Sequence, residues 1–238
     1  MPLLAHLLAG VVVTIGATLQ GSVGFGLGLF SVPLLVLIDP RFVPGPLLFS
    51  SLALTVLLTH RERGSVLFAD LKWAVGGRLL GIAAAAAALE LVPARQIGIL
   101  FGVLVLGAVG LSGSGWRLAV TPRSLFGAGI LSGFMGTAVS IGGPPVALLY
   151  QHETGARIRG TLSAFFFIGV SLSLVGLHLI GRFGWPEVLL ALSLVPGIVL
   201  GFVLSRRLVH LLDRGYVRRA VLLVSGISAL AVLARSLL

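Results

Sequence analysis

The chain has 238 residues, of which 57% are apolar and 10% charged, and it contains no cysteine. Soluble domains run at about 45–50% apolar and about 25% charged residues, so this composition excludes an ordinary soluble domain, a disordered chain and a disulfide-stapled secreted one. Seventeen Lys and Arg against seven Asp and Glu give a net charge of +10; in a chain with no polar domain this reads as basic loops facing anionic lipid, not as a nucleic-acid surface.

In chain order, Met1-Pro2 leads straight into apolar sequence without a basic region, so the N-terminus reads as mature protein rather than as a signal peptide. A crossing helix needs about 20 apolar residues. Six runs fit ordinary spans: 42–59, 71–92, 97–111, 161–180, 188–205 and 217–237. Two segments do not. Residues 3–38 are too long for one span, and residues 124–151 are likewise interrupted. The first is broken by Gly21-Ser22-Val23-Gly24-Phe25-Gly26-Leu27-Gly28 followed by Pro33, the second by the run from Gly133 to Pro145.

Charge decides how these two segments lie. If each crossed once, seven cations would fall on one face and nine on the other. If each enters and returns to its own side, the loops 60–72, 112–123, 152–159 and 206–219 share a face with twelve cations, against Arg41, Arg95, Arg182 and Arg235 on the other. Only the second arrangement obeys the positive-inside rule. The predicted fold is therefore all-α and polytopic: a single transmembrane domain over 1–238, with both termini outside the cytoplasm. It divides into two inverted repeats, 1–112 and 123–238, each a broken helical hairpin followed by three transmembrane helices. The second arms of the hairpins are short, which favours a partial dip into the bilayer. An offset of 112 pairs Gly21 with Gly133, Gly24 with Gly136, Pro33 with Pro145, Ser51 with Ser163 and Trp73 with Trp185. The small-xxx-small pairs Gly77/Gly81 and Gly197/Gly201 occupy the third helix of each half and permit close helix approach.

Irregular backbone is tolerated within hydrocarbon only where protein or a water-filled cavity surrounds it, so paired interruptions point to a transporter binding site. A helix starting after such a break aims unpaired N–H groups at the cavity, a geometry that suits an anion. The predicted substrate-binding residues are Gln20, Gly21, Ser22, Gly24, Phe25, Gly26 and Ser51 in the first half, and Gly136, Thr137, Ser140, Gly142, Gly143 and Ser163 in the second. The competing reading of the glycines is helix packing. For Ser50, Ser51, Thr161 and Ser163 it is back-bonding to the preceding turn. Arg78 is the only cation well inside a span; it lies about 9 Å of helix rise from Lys72, so its expected conformation is snorkelling to the headgroups. In the functional alternative it is a gate or an anion attractant. His6 and His178 are expected to be neutral, hydrogen-bonded histidines, and His152-Glu153 a plain loop pair. No metal or other cofactor is expected. Acidic residues sit at span ends or in loops, so the usual carboxylate site for H⁺ or Na⁺ coupling is missing.

The stretches Gly21–Pro33 and Gly133–Pro145 resemble the duplicated glycine/proline signature of the sulfite exporter TauE/SafE family of membrane transporters, and Pro196-Gly197-x₃-Gly201 resembles that family's third-helix element. The similarity runs over essentially the whole chain. It implies movement of small anions such as sulfite, sulfonates or related organic acids across the bacterial inner membrane, with substrate contacts at Gly24, Gly26, Gly136, Ser140, Gly142 and Gly143. One departure is Gly24-Phe25-Gly26-Leu27-Gly28, where the family's signatures often run as consecutive glycines. The expected partners are a small anionic substrate, membrane lipid and, in a homodimer, a second copy of the chain. The alternatives are an anion channel and an intramembrane enzyme. The latter would need a Ser–His pair or acidic metal ligands, and Ser112-Gly113-Ser114-Gly115 lies far from His178 in sequence and in a basic loop.

Overall fold

The structure, a computed structural model, describes residues 3–92, 97–115, 118–151, 153, 155–212 and 216–237. Arg95, Arg117, His152 and Arg214, which enter the charge and loop readings above, lie outside the described residues. All regular structure described is helical, as hydrocarbon demands of a chain whose backbone groups must be satisfied internally. The helices are α1 (Leu3–Val23), α2 (Leu27–Ile38), α3 (Gly45–Arg61), α4 (Phe68–Leu91) and α5 (Ile97–Gly113). They continue as α6 (Pro122–Val139), α7 (Gly143–Leu149), α8 (Gly155–Leu179), α9 (Trp185–Leu212) and α10 (Tyr216–Leu237). Helices α1, α4, α8 and residues Trp185–Val209 of α9 are each long and apolar enough to cross a bilayer. The protein is an all-helical polytopic membrane protein.

Both over-long segments are broken helical hairpins. The first breaks at residues 24–26, where Gly24 and Gly26 take φ of 99° and 133°, a region closed to most side chains. Helix α2 then folds back along α1: Ser31 Oγ donates to the Val12 carbonyl at 3.3 Å. The second breaks at residues 140–142, and Ser132 Oγ of α6 donates to the Gly142 carbonyl at 2.6 Å. The returning arms α2 and α7 have 12 and 7 residues, far short of the about 20 a crossing requires. Two spans run longer than their apolar cores. Helix α8 begins at Gly155 rather than near 161, and α9 continues past 205 to Leu212. Their extra turns carry Arg157, Arg159, Arg206 and Arg207, which need not enter hydrocarbon.

Glycines set the closest helix contacts. A β-carbon at Gly77 or Gly81 of α4 would overlap the carbonyls of Phe126 and Ile130 on α6, and one at Gly129 or Gly133 of α6 would overlap those of Ala74 and Arg78. Gly197 and Gly201 of α9 meet the Gly10 and Thr14 carbonyls of α1 in the same way. The pairings α1–α9 and α6–α4 therefore rest on the same device. The main helix pairings recur when α1–α5 are exchanged with α6–α10: α3–α9 matches α8–α4, and α2–α10 matches α7–α5.

Contacts also order the two ends of the molecule. At one end Glu62, Arg159 and the first turns of α4 and α8 come together; Leu67 N–H donates to Thr161 Oγ1 at 3.0 Å. Here Tyr150, just past α7, donates from Oη to Asp70 Oδ2 at 3.0 Å. At the other end His6 stacks edge-on to Phe42 at 6.0 Å, and Phe49 meets Phe183 at 5.7 Å. There Arg182 Nη2 donates to the Leu89 carbonyl at 2.6 Å, capping α4.

Candidate functional site

The two breaks meet. A β-carbon at Gly28 would overlap the Ser140 carbonyl oxygen, and one at Gly143 would lie 3.0 Å from Phe25 Cβ. Beside this crossing is a cavity of about 50 Å³, walled by the first turn of α2 (Leu27, Gly28, Leu29), by Ser51 and Thr55 of α3, and by residues 140–144. One water needs about 10–15 Å³ and drug-sized ligands about 300–1,000 Å³, so this space suits a few waters or one small ion. No Asp or Glu is among its lining residues.

Of the predicted binding residues, the structure brings Gln20, Gly26, Ser51, Gly136, Ser140, Gly142 and Gly143 to this cavity together with Arg78. Gln20 has a structural task there: its Oε1 accepts from the Leu27 N–H at 3.3 Å and so caps α2. Ser51 both faces the cavity and back-bonds to the Leu48 carbonyl at 2.7 Å. Ser140 takes a left-handed φ of 58°, uncommon for a side-chain-bearing residue, and donates from Oγ to the Pro44 carbonyl at 3.0 Å.

The remaining predicted residues are placed elsewhere. Gly21 packs against Ser205 of α9, and Gly24 against Ile158 and Arg159. Ser22 Oγ bonds to the Thr18 carbonyl at 2.8 Å, and Thr137 Oγ1 to Ser173 Oγ at 2.8 Å. Phe25 packs between two apolar clusters. Ser163 is fully buried with an unpartnered hydroxyl. Thr55 was missed by the sequence reading, although its spacing of four from Ser51 puts both on one helix face.

The first turns that follow the two breaks differ in the N–H groups they carry. Helix α7 begins at Gly143, which has an N–H, but continues with Pro144 and Pro145, which have none to offer. The positive charge on that side comes from Arg78. Its expected snorkelling is overturned: the residue is 1% exposed, and Nη1 donates to Ser132 Oγ at 3.0 Å. Its guanidinium carbon sits 4.9 Å from the Phe165 ring centre. Helix α4 packs so closely on α6, through Gly77, Gly81, Gly129 and Gly133, that the side chain is directed into the protein.

At the basic end a second cluster closes over the tip of the first hairpin. Glu62 Oε1 accepts from Arg61 Nε at 3.0 Å and from Arg159 Nε at 2.9 Å. Arg61 reaches on to the Gly21 carbonyl at 2.5 Å and Ser205 Oγ at 3.1 Å, and Arg159 to the Ser22 carbonyl at 3.4 Å. The last carbonyls of α1 have no partner within the helix, and cations suit that terminus. At the opposite end a vestibule of about 540 Å³ is lined by His6, Arg41, Pro44, Arg182 and Glu187, among others. Pro44 is the residue whose carbonyl holds Ser140.

A family model described as sulfite exporter TauE/SafE matches residues 8–232 of the chain. Comparison with curated proteins and with solved structures returned no match.

Proposed function

Because the chain belongs to the sulfite exporter TauE/SafE family, a family of membrane transporters, we propose that it is a secondary transporter moving a small anion, such as sulfite, a sulfonate or a related organic acid, across the bacterial inner membrane. The observation that carries this reading is the meeting of the two chain breaks at one acid-free cavity of about 50 Å³. The substrate sits between the first turn of α2 and the 140–143 backbone, and alternating access proceeds by movement of the two halves around it. In this reading the Glu62 cluster closes the basic end, and the substrate enters from the end that carries the vestibule.

The two halves are inverted repeats in this reading. The recurring helix pairings support it. So do Trp73 and Trp185, both exposed, which stand at opposite ends of the molecule as interface anchors do. The sidedness is testable because the chain has no cysteine of its own. A cysteine at Asp39 is expected to react with an impermeant thiol reagent in intact cells, and one at Ser65 only after permeabilisation. Reaction at 65 in intact cells would reject the orientation.

Transport itself is tested in proteoliposomes. Preloaded unlabelled sulfite is expected to accelerate uptake of labelled sulfite, and uptake is expected to saturate. Flux that rises linearly without counterflow would replace the carrier with a channel.

A further inference from the structure

Arg78 holds more hydrogen-bonding capacity than the protein uses. A guanidinium carries five N–H donors. Arg78 is 1% exposed, and its one hydrogen bond among the described residues is Nη1 to Ser132 Oγ. Its Nε is buried with no partner, and none of the ion pairs described includes it. The Phe165 face offers a cation–π contact, which engages the charge but none of the in-plane N–H groups. A buried cation without a counter-charge is costly, and its unmet donors add to that cost.

The surroundings are built to house it. A β-carbon at Gly169 would overlap Nε; at Gly136 it would lie 3.1 Å from Nη2, and at Gly142 3.3 Å from Nη1. Ser132 gives its own proton to the Gly142 carbonyl, which leaves its oxygen to accept from Arg78 and ties the guanidinium to the second break. The same side chain lines the cavity, with the α2 N-terminus as another of its walls. In the Gly-x₃-Gly alignment that superimposes Gly77/Gly81 on Gly197/Gly201, Arg78 falls on Ile198. That helix position therefore carries a charge in one half only.

We propose that Arg78 is a substrate-coordinating residue: its planar fork pairs with two oxygens of an oxoanion held in the cavity between the breaks. One fixed positive charge with no lining carboxylate balances one negative charge, so the preferred ligand is a monovalent oxoanion, a sulfonate or hydrogen sulfite, over a divalent one. Bidentate geometry makes Lys a poor replacement. This assignment deepens the transporter reading and rests on it for the role of the cavity.

The test pairs binding with transport, using sulfite and methanesulfonate as probes on purified protein. In wild type, either probe is expected to raise the melting temperature and to be taken up by proteoliposomes. Arg78→Met is expected to abolish the probe-induced shift while the ligand-free protein melts at or above the wild-type temperature, since a buried unpaired charge has been removed. Arg78→Lys is expected to raise KM by at least about tenfold with the ligand-free melting temperature held; should the Met variant fail to insert, this result carries the test. A structural arginine gives the opposite pattern: a lower melting temperature, with KM unchanged in whatever flux remains. That pattern, or a wild-type shift by neither probe, overturns the assignment. Binding that depends on Arg78 without any wild-type flux overturns the transporter reading alone.

Discussion

Replacing Gly28 with Ala is expected to lower transport by about fivefold to a hundredfold, the equivalent of the 1–3 kcal/mol that overpacking costs, without preventing membrane insertion. The added methyl has no flexible neighbour to displace. It would fall on the Ser140 carbonyl oxygen and close to Ile141 Cα, both backbone atoms. Ser140 is in turn held by its hydroxyl on Pro44 and by its left-handed backbone. Relief therefore requires the two breaks to part, which alters the cavity they share. Gly127→Ala is the control: it lies in helix α6, where a β-carbon meets nothing within 4 Å, and alanine is favoured over glycine inside a helix by about 0.5–1 kcal/mol. The pair is read by initial uptake rates and by melting temperature. Equal rates in the two variants would remove the crossing of the breaks from the transport mechanism.

The hairpins were legible because one apolar segment was too long for a single span, because both were interrupted by glycine-rich sequence with proline, and because charge counts favoured their return. The place of each break was less legible. The run from Gly133 to Pro145 looks uniformly irregular in sequence, yet Gly133 to Val139 is helical, and its first glycine lets α4 approach. Glycine serves two purposes, close packing and left-handed backbone, that composition does not separate. The second break accordingly lies at Ser140 to Gly142, which shifts the best correspondence with Gly24 and Gly26 from an offset of 112 to one four residues longer. Arg78 was misread for a related reason. Its distance from Lys72 permits snorkelling, but the direction of a side chain depends on which helix covers that face, and here α6 covers it. Ser51 and Gln20 show that one residue can satisfy a local hydrogen bond and still line a cavity, so the two readings of such residues were never exclusive.

Replacing Glu62 with Ala is expected to open the basic end of the protein. Glu62, Arg61 and Arg159 have side chains 12%, 16% and 13% exposed, so their pairing is far from the weak surface case. Removing one partner of a buried pair costs about 3–5 kcal/mol, because the remaining charge stays uncompensated. Here two arginines remain, facing each other. The penalty falls only on the conformation in which both reach the α1 carbonyls, and it is relieved when the hairpin tip leaves them. At about 1.4 kcal/mol per decade, even part of it shifts the balance between closed and open states by more than tenfold. A cysteine at Ser22, now 2% exposed, reports on this directly. In inside-out vesicles its modification by an impermeant thiol reagent is expected to speed up by at least about tenfold in the Glu62→Ala background, with steady-state transport reduced because the closed state is rarely regained. Glu62→Gln retains an acceptor oxygen without the charge and is expected to fall between. If labelling at 22 is as slow in Glu62→Ala as in its parent, the cluster is a helix cap that plays no part in gating.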